Sequence, residues 1–158
     1  VMGIDSDFQP AVAKALQAAG LLFQRGGAVL ISIADRNKKD AEPLIRALFA
    51  SRCKFYATRG TAVMIEALGI PVAAVPKRLN EGHPNVVDLI HDGSVGAVVN
   101  TVTGDREALQ DGFEIRRTAV EDGVPCFTSI DTARIAAESL LNSDKPYSIK
   151  PFPEHRKG

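Results

Sequence analysis

The stretch Ala57-Thr58-Arg59-Gly60-Thr61-Ala62 sets two hydroxyls around a glycine. It lies between a short apolar run, Phe55-Tyr56-Ala57, and a helical pattern from Ala62 to Leu68. A strand, a polar turn and a helix in that order can seat a small anion. The first N–H groups of a helix have no intrahelical acceptor, and the helix dipole is positive at that end. Thr58 and Thr61 can donate hydroxyls to the same oxygens. Gly60 allows a tight backbone turn and the close approach of a ligand. The same residues also serve an ordinary helix cap. The other loops that share the rim separate the two readings.

Three of those loops carry suitable chemistry. Lys38 or Lys39, and Lys77 or Arg78, add positive charge, and Asn100 and Thr101 offer donors and acceptors for a sugar or base edge. Lys38 and Lys39 precede a helix, where cations are unfavourable, and this mismatch points to a local anion. Together the loops predict a site for a phosphorylated small molecule, a nucleotide among them. Catalytic groups are thinner. Asp35, Glu81 and Asp88 could act as a base if their environment tuned them, yet each first reads as a cap or a surface charge. His83, His91 and His155 show no metal-ligand spacing, and His91 suits a helix C-terminus. The chain has no Walker-type loop, no Gly-x-Ser-x-Gly and no GxGxxG.

The elements that must position these groups follow from periodicity. Pro10 to Phe23 reads as a helix broken by Gly26-Gly27. Ala28 to Ala34 is a continuous apolar run, the pattern of a strand covered on both faces. Asp40 can cap a helix in which Ala41, Leu44, Ile45, Leu48 and Phe49 share a face, with Pro43 in the first turn. Further strands are predicted at Phe55–Ala57, Val72–Val75, Val95–Val99 and Pro125–Thr128. Helices are predicted at Val86–His91, at Glu107–Asp122 and, capped by Asp131, from Thr132 to Leu141. Strands alternating with helices define an α/β fold: three layers, doubly wound, with a five-stranded mostly parallel sheet between helices. Polar loops after the strands then gather on one rim, near the topological switch point, where such sheets bind ligands.

Composition narrows the partners. The 158 residues are 45% hydrophobic and 24% charged with a formal net charge of zero, which speaks against a nucleic-acid partner. No apolar run approaches the roughly 20 residues of a membrane-spanning helix. Cys53 and Cys126 adjoin predicted strands without redox or metal spacing and read as reduced, packed thiols. The chain begins at Val1, and residues 1–26 do not read as the start of a domain. They are expected to be the tail of a preceding domain, with a core domain at 27–142 and a polar, proline-rich tail at 143–158.

Five blocks carry a family resemblance: LISIADRNKKD (Leu30 to Asp40), YATRGTA (Tyr56 to Ala62), NEGHPNVVDLI (Asn80 to Ile90), VVNTVTG (Val98 to Gly104) and IRRTAVEDGVP (Ile115 to Pro125). Together they resemble the C-terminal allosteric domain of the carbamoyl phosphate synthetase large subunit, a methylglyoxal-synthase-like domain. The opening VMGIDSDFQPAVAKAL resembles the end of the preceding synthetase half. The resemblance implies a domain without chemistry or cofactor of its own, binding nucleotides such as UMP or IMP, and ornithine near the contact with the synthetase body. It implies a cytoplasmic parent ligase that makes carbamoyl phosphate from bicarbonate, glutamine-derived ammonia and ATP, for pyrimidine and arginine biosynthesis. That parent uses Mg or Mn and potassium and partners a glutaminase small subunit. By the same resemblance the nucleotide phosphate meets Lys38, Thr58, Gly60 and Thr61. Lys77 or Arg78, Ser32, Asn100 and Thr101 supply further contacts, and Thr128 falls on the ornithine side. Val102 stands where the enteric form carries a threonine.

Two relatives of that fold imply other chemistry. A methylglyoxal synthase, a lyase acting on dihydroxyacetone phosphate, carries Gly-Gly-Asp in the third loop, where this chain reads Asn80-Glu81-Gly82-His83-Pro84. The cyclohydrolase domain of purine biosynthesis carries a Gly-Phe-Pro-Glu segment and a Lys-Thr-Leu-His-Pro block, and neither occurs here.

Overall fold

The computed structural model describes residues 1–77, 81–102 and 106–142, together with positions 149, 151 and 154. Arg78 and the tail assignments at 143–148 and 155–158 lie outside them. The element order is α1 (Phe8–Ala18), β1 (Ala28–Ser32), a 3-10 turn (Asp35–Asn37), α2 (Glu42–Ala50), β2 (Lys54–Thr58), α3 (Arg59–Ala67), β3 (Ala73–Val75), α4 (Val86–His91), β4 (Ala97–Asn100), α5 (Arg106–Glu121), β5 (Cys126–Phe127) and α6 (Ile130–Leu141). The sheet order is β3-β2-β1-β4-β5. All four pairings are parallel, so the sheet is wholly parallel where the sequence implied a mostly parallel one. The chain winds outward from β1 through β2 to β3, then crosses back to lay β4 on the other side of β1. The ends of β1 and β4 therefore flank the switch point.

Alternation along β1 builds both outer layers. Val29 and Ile31 join Leu44, Ile45 and Leu48 of α2, Ile65 of α3 and the alanines of α6 in one buried cluster. Leu30 points the other way, with Val98, into a cluster formed with Leu89 and Ile90 of α4 and Ile115 of α5. The first cluster also includes Leu16 of α1 and Phe23, whose ring stacks on Phe127 at a centroid distance of 4.4 Å. Among the described residues no helix is long and apolar enough to cross a membrane. Both cysteines are free; Cys53 is buried, and desolvation pushes its thiol pKa up.

Several local expectations are corrected. α1 stops at Ala18, because Gly20 adopts φ 68° and the Leu21 N–H returns to the Leu16 carbonyl. Phe49 is 47% exposed, although its predicted face-mates Ala41, Leu44, Ile45 and Leu48 are fully buried. Asp40 does not cap α2, whose N-cap position is Ala41. Ser129, not Asp131, caps α6 by accepting from the Thr132 N–H. β4 begins at Ala97, since the Val95 N–H returns to the Leu89 carbonyl of α4 and not to the sheet.

Candidate functional site

The C-terminal ends of β2, β1 and β4 lie side by side. Tyr56, Leu30 and Val98 pack on the α4–α5 layer. Two residues further along each strand, Thr58, Ser32 and Asn100 fall on the same face. Ser32 and Asn100 are register partners, and the Thr58 Oγ1 lies 3.4 Å from the Ser32 Oγ. All three are buried. A row of a hydroxyl, a hydroxyl and a carboxamide thus crosses the rim at the switch point.

Asn100 is held by α5. Its Oδ1 accepts from Arg116 Nε at 3.1 Å, and its carbonyl accepts from Arg116 Nη2 at 3.4 Å. Among the described residues its Nδ2 is buried without a partner. An unpaired buried donor is destabilising by roughly 1–3 kcal/mol, and the described residues supply this amide no acceptor.

The loop leaving β1 is clamped from both sides. The Ile33 N–H donates to Thr61 Oγ1 and the Ala34 N–H to Thr101 Oγ1, each at 3.0 Å. Thr101 returns its own N–H to the Ser32 carbonyl. Thr61 and Thr101 therefore fix the loop that carries Asp35 and Lys38. The two threonines of the opening turn are linked, Thr58 Oγ1 lying 3.4 Å from Thr61 Oγ1, and beyond that bond Thr58 faces Ser32 while Thr61 holds Ile33.

Helix α3 starts at Arg59, earlier than its apolar pattern indicates, with Thr58 at the N-cap but no side-chain cap bond. Gly60 is not among the positive-φ glycines and sits inside this first turn, so a tight turn does not explain it. Close approach does: a Cβ on Gly60 would lie 3.3 Å from Lys38 Nζ. The structure thus places Lys38 at an uncapped helix N-terminus, whereas Lys39 is exposed. Lys38 Nζ also lies 2.7 Å from Asp35 Oδ1, and this hydrogen bond and charge lower the Asp35 carboxyl pKa.

A cavity of about 170 Å³ opens among Ser32, Ala34, Asp35, Thr58, Lys77 and Thr101. Lys77 Nζ is 3.2 Å from Asp111 Oδ2 of α5. Thr128 does not line this cavity. It lines a neighbouring space of about 330 Å³ with Arg36, Arg116 and Asp131, and Thr101 and Val102 border both. Of the residues that the sequence reading assigns to one rim, Ser32, Thr58, Lys77 and Thr101 line this cavity, whereas Lys38, Gly60, Thr61 and Asn100 do not: Lys38 lies by Gly60 at the start of α3, Thr61 holds Ile33, and Asn100 is the register neighbour of Ser32. The sequence reading missed Asp111, Gly112 and Arg116. Positions 111, 112, 115 and 116 share a helical face with buried Ile115, and that spacing was the available signal. Gly112 is required by packing, because a Cβ there would overlap the Cγ1 of Val102.

Asp88, one of the carboxylates considered as bases, is engaged in a helix cap. It closes a capping box with Asn85 and lies 2.6 Å from His83 Nδ1. Its pKa is lowered first by the Asn85 N–H and then by His83. His91 ends α4 and pairs with Asp122 at 2.6 Å.

Residues 40–128, more than half the chain, match the family model of the MGS-like domain. This chain belongs to that family. The match takes in the α3 turn, Lys77, Asn100 and Thr128, and starts just beyond Lys38. Over 155 residues this MGS-like chain is 44% identical to the carbamoyl phosphate synthase large chain of Thermomicrobium roseum, covering 98% of this chain and 14% of that protein. It is 40% identical over 159 residues to the carbamoyl phosphate synthase large chain, C-terminal section, of Methanopyrus kandleri, covering 100% of this chain and 29% of that protein. It is 36% identical over 156 residues to the large chain of Synechocystis sp., covering 98% of this chain and 14% of the relative. The chain thus spans between a seventh and under a third of these relatives' length.

Proposed function

We propose that this MGS-like domain is the effector-binding regulatory part of a carbamoyl phosphate synthase large chain, and that its rim seats the phosphate of a nucleotide such as UMP or IMP. The observation that carries the reading is the ammonium of Lys38 set against the uncapped N-terminus of α3. A cation at that end of a helix is unfavourable unless an anion joins them; the exposed Asp35 carboxylate, 2.7 Å from Lys38, is such an anion, and a phosphate can take its place. Thr58, Ser32 and Lys77 line one cavity with Asp35, the partner of Lys38, and the buried Asn100 amide lies next to Ser32 on the neighbouring strand. Ornithine belongs to this reading on the side of Thr128, next to the contact with the synthetase domains of the same chain. The parent makes carbamoyl phosphate with ATP, Mg or Mn and potassium, receives ammonia from a glutaminase subunit, and works in the cytoplasm.

The mechanism is linkage. An effector that binds one arrangement of the domain–synthetase contact more tightly shifts the population by its differential affinity, typically about 1–3 kcal/mol. Asp35 is paired to Lys38 and Asp88 is held in a cap, so these two carboxylates already have partners. The test is phosphate release from dihydroxyacetone phosphate alongside titration with UMP and IMP. Binding without phosphate release is expected, and turnover at an enzymatic rate would overturn the regulatory reading.

A further inference from the structure

The two lysines of the seat are each held by a carboxylate of the same rim. Lys38 meets Asp35 at 2.7 Å, and Lys77 meets Asp111 at 3.2 Å. These four side chains sum to zero charge, and the α3 N-terminus and the Arg116 guanidinium on Asn100 are positive groups beside them. An incoming anion must therefore exchange with a carboxylate already tethered beside its lysine. A tethered partner acts at high effective concentration. A monoanion that displaces one carboxylate only replaces like with like. A dianion can neutralise both ammonium groups together, with the helix end adding to its side of the balance.

From this arrangement, and resting on the phosphate-seat reading above, we propose that Asp35 and Asp111 are internal counter-ions that set a charge threshold. The seat accepts a dianionic phosphate monoester and rejects monoanions such as phosphodiesters and carboxylates. The two carboxylates differ in weight. Asp35 is 93% exposed and can swing into water. Asp111 is 20% exposed and belongs to α5, next to Gly112, whose contact with Val102 locks the helix to the loop. A ligand at Lys77 feels the Asp111 charge even after exchange, so Asp111 dominates the discrimination.

The experiment is calorimetric titration of the chain with methyl phosphate and dimethyl phosphate at about pH 8, where a phosphate monoester is dianionic. The wild type is expected to bind methyl phosphate and to bind dimethyl phosphate at least about tenfold more weakly, a gap of roughly 1.4 kcal/mol. Asp35→Asn should tighten methyl phosphate binding by roughly threefold, as for an exposed pair, and Asp111→Asn by about tenfold, with discrimination narrowed in both. Asp111→Glu, which keeps the charge, should retain the discrimination, separating charge from helix packing. Methyl phosphate binding by the wild type that is unimproved or weakened in both carboxamide variants overturns the counter-ion role alone. So does equal binding of the two esters by the wild type. Binding that emerges only in the carboxamide variants supports the counter-ion role. No binding of either ester by wild type or variants overturns the phosphate seat itself.

Discussion

At the level of single residues, Gly60 admits two causes in the sequence, a tight turn and a close approach, and only the second has a counterpart in the fold. The pattern Thr58-x-Gly60-Thr61 marks a polar turn before a helix, and glycine there suggests a tight bend. The helix in fact begins at Arg59, and Gly60 is small so that Lys38 can reach the helix end. Gly60→Val should therefore push Lys38 away and weaken phosphate-ester binding by roughly ten- to a hundredfold, the loss of a charge-assisted contact. Helix propensity favours valine over glycine by a few tenths of a kcal/mol, so the melting temperature should hold or rise slightly. Titration and thermal melting together check this, and lost affinity with lost stability would indicate simple misfolding. Residue types alone could not reveal Asn100 as a buried donor without a partner among the described residues, because its Oδ1 is taken by Arg116, 16 positions later on α5.

At the level of elements, strands and helices were legible where periodicity is strong, and boundaries failed where neighbouring polar residues compete. Asp40 and Asp131 are both credible caps in sequence, yet Ala41 and Ser129 occupy the N-cap positions. The α4 cap is stronger, since Asn85 accepts from the Val87 and Asp88 N–H groups while Asp88 accepts from the Asn85 N–H. The Asp88 pKa is lowered in the fold, so its contribution is full above the unfolded value of about 3.9 and is lost as pH falls through the folded value. The melting-temperature gap between wild type and Asp88→Asn should be constant near neutrality and close on acidification below about pH 5. A gap that persists unchanged into strong acid would contradict this assignment. Gly112 joins α5 to the β4 exit: Gly112→Ala overlaps the stiff side chain of Val102 and should cost about 1–3 kcal/mol in urea unfolding. The same displacement reaches Thr101 and Val102, which border both cavities, so ligand affinity should fall as well.

Across the whole molecule, alternation of strand and helix was enough to reach a mostly parallel α/β sheet with polar residues at its strand ends, because each element's pattern agrees with its place in the layers. The role of the N-terminal segment was less legible. Its apolar positions suggest one helix through Phe23, but the chain turns at Gly20 and sends Phe23 separately onto Phe127. Phe23→Ala should destabilise by about 3–5 kcal/mol in denaturant unfolding, a core loss and not a terminal one. A change under 1 kcal/mol would show that the stack contributes little.

The central claim is that a nucleotide phosphate sits between Lys38, Thr58 and the start of α3. Titration of the wild type, Lys38→Ala and Thr58→Ala with UMP and IMP tests it most directly. Binding of at least one nucleotide by the wild type, weakening with added salt, is the expected result. Lys38→Ala should lower affinity by roughly ten- to a hundredfold and Thr58→Ala by about tenfold, with folding intact in both. Isotherms for the two variants that match the wild type would contradict the account.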